Sequence, residues 1–207
     1  MKPIFENWSR WSGAVVGYAA RSDLYMVLGL FGSAAAVWAF VELADEVMEG
    51  STRAIDAAIL RALRNPTDLA DPIGPGWLEE SVRDLTALGG FTLLVLIVAC
   101  AAGYLLLERR RAMALLLVGA AASGTAVSSL LKIGFDRPRP ELVAHATEVY
   151  TASFPSGHST MAAVVYLTLG VLLARAQPGV RTRIYFVSLA IVITVLVGVS
   201  RIYLGVH

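Results

Sequence analysis

The chain has 207 residues, of which 57% are hydrophobic and only 16% carry a charge. Together with a mean hydropathy of +0.66, this composition excludes an ordinary soluble domain and indicates a membrane protein. The formal net charge is +1 and no basic run is longer than Arg109-Arg110-Arg111, so nothing indicates a nucleic-acid-binding protein.

Five apolar stretches have nearly the length of a transmembrane helix. The first, residues 24–41, carries no charge and is too long for the apolar part of a signal peptide. The other four are residues 91–107, 112–131, 159–174 and 184–200. Each approaches the roughly 20 residues that cross a bilayer core. The sequence therefore predicts an all-α polytopic membrane protein, a helical bundle with five spanning helices, in one domain over residues 1–207.

A long polar segment, residues 42–90, separates the first two spans. Within it, Ser51 or Thr52 is predicted to open an amphipathic helix that ends at Arg64. The charge of Arg64 is predicted to lie away from the apolar face of this helix. That face is predicted to contain Ile55, Ile59 and Leu63.

The second half of this segment contains signals for a loop and a further helix. Asn65-Pro66 is predicted to stop the amphipathic helix, and residues 72–76 are predicted to form a loop. Ser81 and Asp84 have the spacing of a capping box for the next helix. We expect the segment to lie along the membrane surface, over or beside a site; a solvated connector is an equally good interpretation.

The arginines predict the orientation of the bundle. Residues 108–111 and 175–183 are short connectors with three arginines each, and the N-terminal segment carries three more basic residues. These regions alternate so that they lie on one side, which the positive-inside rule makes cytoplasmic. Residues 42–90, the loop 132–158 and the C-terminal end then face the extracytoplasmic side of the cell membrane.

The residues just before the fourth apolar stretch have the pattern of an anion site. Ser153 or Ser156 can cap the helix that begins there, and Pro155 is predicted in its first turn. The backbone N–H groups of Ser156, Gly157 and His158 then lie at the positive end of a helix, where phosphate binds favourably. His158 adds a side chain that exchanges a proton near neutral pH.

Further cations follow the third and fifth apolar stretches, on the same predicted side. Lys132 ends the third stretch, and Arg137 and Arg139 follow it, each before a proline that holds the backbone extended. Arg201 and His207 follow the fifth stretch. Taken singly, each cation is explained as a residue that reaches the membrane interface. Together they indicate a phosphate site, because arginine and lysine bind phosphate oxygens.

Three motifs in this chain resemble the signature of the type 2 phosphatidic acid phosphatase (PAP2) superfamily, which also contains vanadium haloperoxidases. Lysine, six residues and Arg-Pro correspond to Lys132 and Arg139-Pro140. Pro-Ser-Gly-His corresponds to residues 155–158, and Ser-Arg, five residues and histidine correspond to Ser200-Arg201 and His207. The joint match in order and spacing is far more specific than any one motif. The resemblance covers roughly residues 40 to 207.

The resemblance implies an α-helical membrane phosphatase, normally with six spanning helices, that requires no metal or other cofactor. It implies that His207 attacks phosphorus to form a phosphohistidine and that His158 protonates the leaving oxygen. The phosphate-binding residues that it implies are Lys132, Arg139, Ser156, Gly157 and Arg201. The expected substrate is a phospholipid or polyprenyl phosphate in the bilayer, such as phosphatidic acid, phosphatidylglycerol phosphate or polyprenyl diphosphate.

The sequence departs from the family pattern at its end. The pattern continues past the histidine to an aspartate that orients it and then to a sixth span, whereas this sequence stops at His207. We therefore expect a shortened form that can be inactive even where the longer protein is an enzyme.

Three alternative functions remain open at this stage. A non-catalytic phosphate-lipid binding protein is favoured by the missing aspartate, and the two motif histidines count against it. A vanadium haloperoxidase would use the same residues, because vanadate mimics phosphate, but the spans count against it. A transporter explains the hydropathy and not the motifs. The third histidine, His145, is interpreted as a surface residue.

Overall fold

The computed structural model describes residue 27, residues 30–135 and residues 154–205. The predicted site residues Arg139 and His207 lie outside this part of the chain, as do Arg137, His145 and most of the predicted outward loop. The chain divides into two compact units, Met1–Arg53 and Ala54–His207.

The first unit contains a helix, α1, over residues 30–49. The predicted span ended at residue 41, but the helix continues through the acidic residues that follow. It ends at Gly50, whose φ of 79° is a conformation that glycine adopts at little cost. The Ser51 backbone N–H and hydroxyl both donate to the Glu46 carbonyl, at 3.2 and 2.9 Å. Ser51 therefore closes α1 rather than opening the next helix.

The predicted amphipathic helix is α2, Arg53–Ala62, which lies in the second unit except for its first residue and leads into a hairpin that was not predicted. Strand β1, Arg64–Asn65, pairs antiparallel with β2, Asp68–Pro72. The turn is held by side chains: the Thr67 hydroxyl donates to Asn65 Oδ1 at 2.8 Å, and the Ala70 N–H donates to Asp68 Oδ1 at 2.9 Å. Strands this short carry no periodicity from which to predict them.

Ile55 and Ile59 form an exposed apolar face of α2, and the predicted position of Arg64 needs correction. Ile55 and Ile59 are 63% and 45% exposed, whereas Leu60 is 3% exposed. Arg64, predicted with the solvated charges, is 2% exposed. The helix ends before Arg64, so this residue no longer follows the helical period and its side chain enters the interior.

Helix α3, Gly76–Ala87, begins five residues earlier than the predicted capping box. The capping box is wrong: Ser81 lies inside the helix, where its hydroxyl donates to the Trp77 carbonyl at 2.8 Å. Gly74, with φ of 115°, turns the chain, and Pro75 takes the N-cap position. The backbone geometry of the Gly-Pro turn therefore sets the start of the helix.

Four long helices form the body of the second unit, and they confirm four of the predicted spans. They are α4 (Phe91–Leu107), α5 (Arg111–Phe135), α6 (Gly157–Ala176) and α7 (Val180–Tyr203). A Cβ atom built on Gly170 would lie 2.7 Å from the Ala190 Cβ, and one on Gly198 would lie 3.9 Å from Ser159 Oγ. These two contacts show that α6 and α7 pack antiparallel at close range. The buried core between the helices comprises Leu94, Ala162, Val165, Tyr166, Ala190 and Val197.

The described helices have the dimensions of membrane spans. Helices α5, α6 and α7 are each long and apolar enough to cross a bilayer, and α3 with α4, bent by 49° between them, form a fourth candidate. Large apolar side chains cover their outer surfaces, among them Leu107, Leu115 and Ile133, which are 84%, 73% and 77% exposed. Such surfaces are stable against acyl chains and not against water. The fifth predicted span, residues 24–41, begins outside the described residues.

Candidate active site

The start of α6 forms the centre of the site. Ser156 is the N-cap, and its hydroxyl oxygen accepts from the Ser159 backbone N–H at 3.4 Å and from the Ser159 hydroxyl at 3.1 Å. Pro155 precedes the cap, so its predicted place in the first turn is wrong. The first helical residues are Gly157 and His158, whose N–H groups lie at the positive helix end. The predicted helix end is therefore formed, at least two residues later than a proline in its first turn would require.

Lys132, in the last turn of α5, reaches this helix end. Its Nζ lies 3.1 Å, and its Cε 3.7 Å, from the position that a Cβ atom on Gly157 would occupy. Glycine allows this close approach, because a Cβ atom here would push the ammonium group away by a few tenths of an ångström. An ammonium beside the positive end of a helix concentrates positive potential, which an anion such as phosphate would offset.

The C-terminal end of α7 brings Ser200 and Arg201, the part of the third motif that the structure describes, to the same end of the bundle. Arg201 is 5% exposed. Ser200, its neighbour in the motif, is also buried, and its hydroxyl donates to the Val197 carbonyl at 2.7 Å. Ser200 is thus satisfied within its own helix, while Gly205, with φ of 69°, ends the helix and redirects the chain.

His158 is held by the corner between α3 and α4. A Cβ atom on Gly89 would lie 3.1 Å from the His158 carbonyl oxygen and 2.6 Å from Val197 Cγ1. On α6, the Tyr166 hydroxyl donates to the Leu88 carbonyl at 2.8 Å, which fixes the corner against that helix. The backbone of His158 therefore packs against a rigid turn.

A cavity of about 830 Å³ extends from this site between α4, α5 and α6. Lys132, Gly157 and His158 lie at one end, and most of the remaining wall is apolar. The apolar wall includes Leu94, Val95, Val98, Ala99, Val118, Ala121, Ala122, Ala126, Met161 and Val165. The cavity thus combines a cationic end with a long apolar body.

Four of the seven predicted site residues come together around the start of α6: Lys132, Ser156, Gly157 and His158. Arg201 is buried at the end of α7, and Arg139 and His207 lie outside the described residues. Sequence reasoning missed the supporting contacts of Gly89, Tyr166 and Arg64. Their local sequence carries no signal, since each acts through a residue distant in the chain.

The fold and the site together define an integral membrane protein of packed α-helices, with a cationic site at the helix ends and an apolar cavity leading from it. Comparison with known proteins gives the family. The sequence model of the PAP2 superfamily matches residues 113–207.

Two relatives from Bacillus subtilis extend the match over most of the chain. Phosphatidylglycerophosphatase B of strain 168 is 34% identical over 174 residues, which cover 81% of this chain and 79% of the relative. The crystal structure described as the first transmembrane PAP2 type phosphatidylglycerolphosphate phosphatase from that organism superposes with a TM-score of 0.72 at 30% identity, covering 81% of this chain and 80% of the other. The chain belongs to the PAP2 superfamily, and the family resemblance drawn from the three motifs is confirmed.

Proposed function

We propose that this protein is a phosphatase that hydrolyses the phosphate or diphosphate monoester in the head group of a membrane lipid and releases phosphate. The observation that carries the proposal is the union of a cationic helix-end site with an apolar cavity. A phosphorylated lipid has an anionic head and an apolar tail, and adjacent parts of one surface match both. The names of the two Bacillus relatives agree with a phospholipid substrate.

The dimensions of the cavity suit an acyl or prenyl chain. Its α5 wall runs from Lys132 to Val118, which at 1.5 Å per residue is about 21 Å. That length exceeds half of the roughly 30 Å hydrocarbon core. A lipid tail can therefore stay in an apolar environment while its phosphate lies beside Lys132 and His158.

The reaction that we propose uses two histidines in turn. A neutral nitrogen of His207 attacks phosphorus, the bond from phosphorus to the lipid oxygen breaks, and His158 gives that oxygen a proton. Water, which loses a proton to His158, then attacks phosphorus; the P–N bond breaks and releases phosphate. Phosphoryl transfer needs positioning and neutralisation of the equatorial oxygens, and the α6 N-terminus with Lys132, Arg139 and Arg201 would supply both without a metal ion.

The first test is phosphate release from phosphatidic acid, phosphatidylglycerol phosphate and polyprenyl diphosphate in detergent, with a chelator present. Wild type should release phosphate, and His158→Ala should reduce the rate at least about 100-fold, because general acid catalysis contributes that much. His145→Ala is the control, since no motif contains that histidine. Lipid binding without turnover in wild type would instead support the non-catalytic binding protein.

The proposed intermediate has its own test. Rapid quenching with radiolabelled substrate should trap an acid-labile phosphoprotein in wild type, and His207→Gln should not form it. A normal phosphoprotein yield in His207→Gln would overturn the assignment of the nucleophile and leave the phosphatase activity intact.

The cavity is tested separately from the chemistry. Ala122→Phe places a ring in the cavity wall and should raise KM for lipid substrates while leaving turnover of a short soluble phosphate ester unchanged. Ala112→Phe, at the opposite end of α5 and outside the cavity, is the matched control. An equal effect of Ala122→Phe on lipid and soluble esters would contradict a tail-binding role.

We further propose that the site faces the extracytoplasmic side. The antiparallel packing of α6 and α7 puts the connector between them opposite the site, and Arg175, Arg181 and Arg183 flank that connector. Arginines favour the cytoplasmic side. In a Cys100→Ser background, an impermeant maleimide applied to intact cells should label Asp68→Cys and not Arg110→Cys; the reverse pattern would invert the topology.

A further inference from the structure

Arg64 is a buried charge that the chemistry proposed above does not use. Its side chain is 2% exposed, and no carboxylate lies within salt-bridge distance of it among the described residues. One terminal nitrogen, Nη1, donates to the Tyr203 carbonyl at 2.8 Å and to the Leu63 carbonyl at 3.3 Å. Removing a guanidinium from water costs free energy that two carbonyl contacts offset only in part, so stability alone is a weak reason for arginine here.

The contact is reciprocal. The Tyr203 hydroxyl donates back to the Ile73 carbonyl at 2.7 Å, just past the second strand of the hairpin. The backbone N–H of Ile73 in turn donates to the carbonyl of Leu63, the residue before Arg64, at 3.0 Å. The hairpin and the last residue of α7 are thus joined by two hydrogen bonds in opposite directions, which we call the Arg64–Tyr203 clasp.

Apolar packing surrounds the clasp. Tyr203 and Leu204 form a buried cluster against Leu63, Leu78 and Val82. Gly74 turns beside the Tyr203 ring, where a Cβ atom would lie 3.7 Å from the hydroxyl and 2.9 Å from Leu78 Cδ2. The bond from Arg64 to the Tyr203 carbonyl is therefore buried, where a charge-assisted hydrogen bond is strong and directional, whereas the bond from the Tyr203 hydroxyl to Ile73 is partly buried.

The position of the clasp in the chain gives it a consequence for the site. Tyr203 is two residues after Arg201 and four before His207. Its carbonyl is one of the last four of α7, which lack N–H donors from a further helical turn, and a cation stabilises that negative helix end. Because α7 ends at Tyr203, the contact that holds this carbonyl also fixes the helix end that carries Arg201.

We propose that Arg64 is a positioning residue for the phosphate site: through the Tyr203 carbonyl it holds the end of α7, and with it Arg201, in the geometry for phosphoryl transfer. The inference rests on the proposed phosphatase function. It predicts a loss of turnover without a matching loss of folding or of lipid affinity, because the apolar cavity lies between α4, α5 and α6 and is not part of the clasp.

The test compares Arg64→Met with Arg61→Met in the full chain. Arg61 is exposed on α2, so its substitution should change kcat by no more than about twofold. Arg64→Met keeps the length of the buried side chain and should lower kcat about 10- to 100-fold with lipid KM little changed, since small misplacements of reacting groups cost that much. Arg64→Lys should recover part of the rate.

Two further variants and one ligand separate positioning from stability. Tyr203→Phe should also lower kcat. The double variant Arg64→Met/Tyr203→Phe should have a kcat within about threefold of the slower single variant, because both substitutions break the same clasp. Binding of orthovanadate, which mimics the transferring phosphate, should weaken by the same factor as kcat. Thermal midpoints in detergent report folding.

The outcomes are distinct. Normal kcat per folded molecule in Arg64→Met and Tyr203→Phe overturns the inference and leaves the phosphatase intact. An inactive wild type overturns the proposed function, and orthovanadate binding then tests the role of the clasp. Weaker vanadate binding in both variants than in wild type supports that role. Equal binding in the variants, or no binding by wild type, overturns it. If Arg64→Met does not fold, Tyr203→Phe decides in the same way.

Discussion

Substitution of Gly89 by alanine tests whether the corner between α3 and α4 holds His158 in place. Gly89 is buried, and the added Cβ would lie 2.6 Å from Val197 Cγ1, short of the 3.4 Å of ordinary contact by 0.8 Å. Val197 cannot yield easily, since its side chain is fully buried and β-branched. The other near atoms are the carbonyl oxygen and Cβ of His158, at 3.1 and 3.2 Å. The corner and His158 must therefore separate.

The expected effects follow from that displacement. Overpacking of this kind lowers the free energy of unfolding by about 1–3 kcal/mol. The added Cβ overlaps the two His158 atoms by only a few tenths of an ångström, so the proposed general acid should shift by about that much and kcat should fall about threefold to tenfold. Phosphate release from a lipid and from a short soluble ester should fall equally, because the change lies in the reacting groups. Thermal midpoints of the purified protein in detergent measure the loss of stability.

Two variants make the Gly89→Ala measurement decisive. Gly103→Ala, inside α4, adds the same methyl where no atom lies within 4 Å, and it should keep kcat while slightly raising the thermal midpoint. Val197→Ala removes the closest obstacle, so combining it with Gly89→Ala should restore part of the lost rate. A Gly89→Ala protein with wild-type kcat would refute the argument that this corner positions His158.

Other contacts lead to further predictions. Gly157→Ala places a Cβ 3.1 Å from Lys132 Nζ, so the ammonium must move away from the helix end. Orthovanadate binding, measured by titration, should weaken about tenfold. Unchanged binding would show that Lys132 does not contact the phosphate. Tyr166→Phe loses the 2.8 Å hydrogen bond to the Leu88 carbonyl and should cost about 0.5–1.5 kcal/mol of stability, with a smaller loss of kcat than Gly89→Ala. A thermal midpoint equal to wild type would show that this bond does not hold the corner.

Hydropathy and short motifs located most of the long helices and the start of the site. The predicted span over residues 91–107 has the bounds of α4, and α5, α6 and α7 each contain their predicted stretches. The capping role of Ser156 and the place of Gly157 at the start of α6 also follow from local chemistry, since a cap and the first helical turn involve neighbours in the chain.

The predictions that failed depended on contacts between distant residues. Ser81 and Asp84 have the spacing of a capping box, but the turn at Gly74-Pro75 starts α3 earlier. Arg64 has the local sequence of an exposed arginine at a helix end, yet it is buried against Tyr203, 139 residues away. Propensity and period describe one segment at a time, so neither can show which side chain a distant helix end will cover.

The sequence by itself determined that this protein is a helical membrane protein of the PAP2 type, because apolar length and the three motifs are properties of the chain read locally. Only the tertiary structure decided how Lys132 meets the start of α6, that an apolar cavity leads away from that point, that Gly89 packs against His158, and that Arg64 is buried against Tyr203. Those features arise where helices separated in the chain pack together, and packing at such points is set by the shapes of all the partners at once.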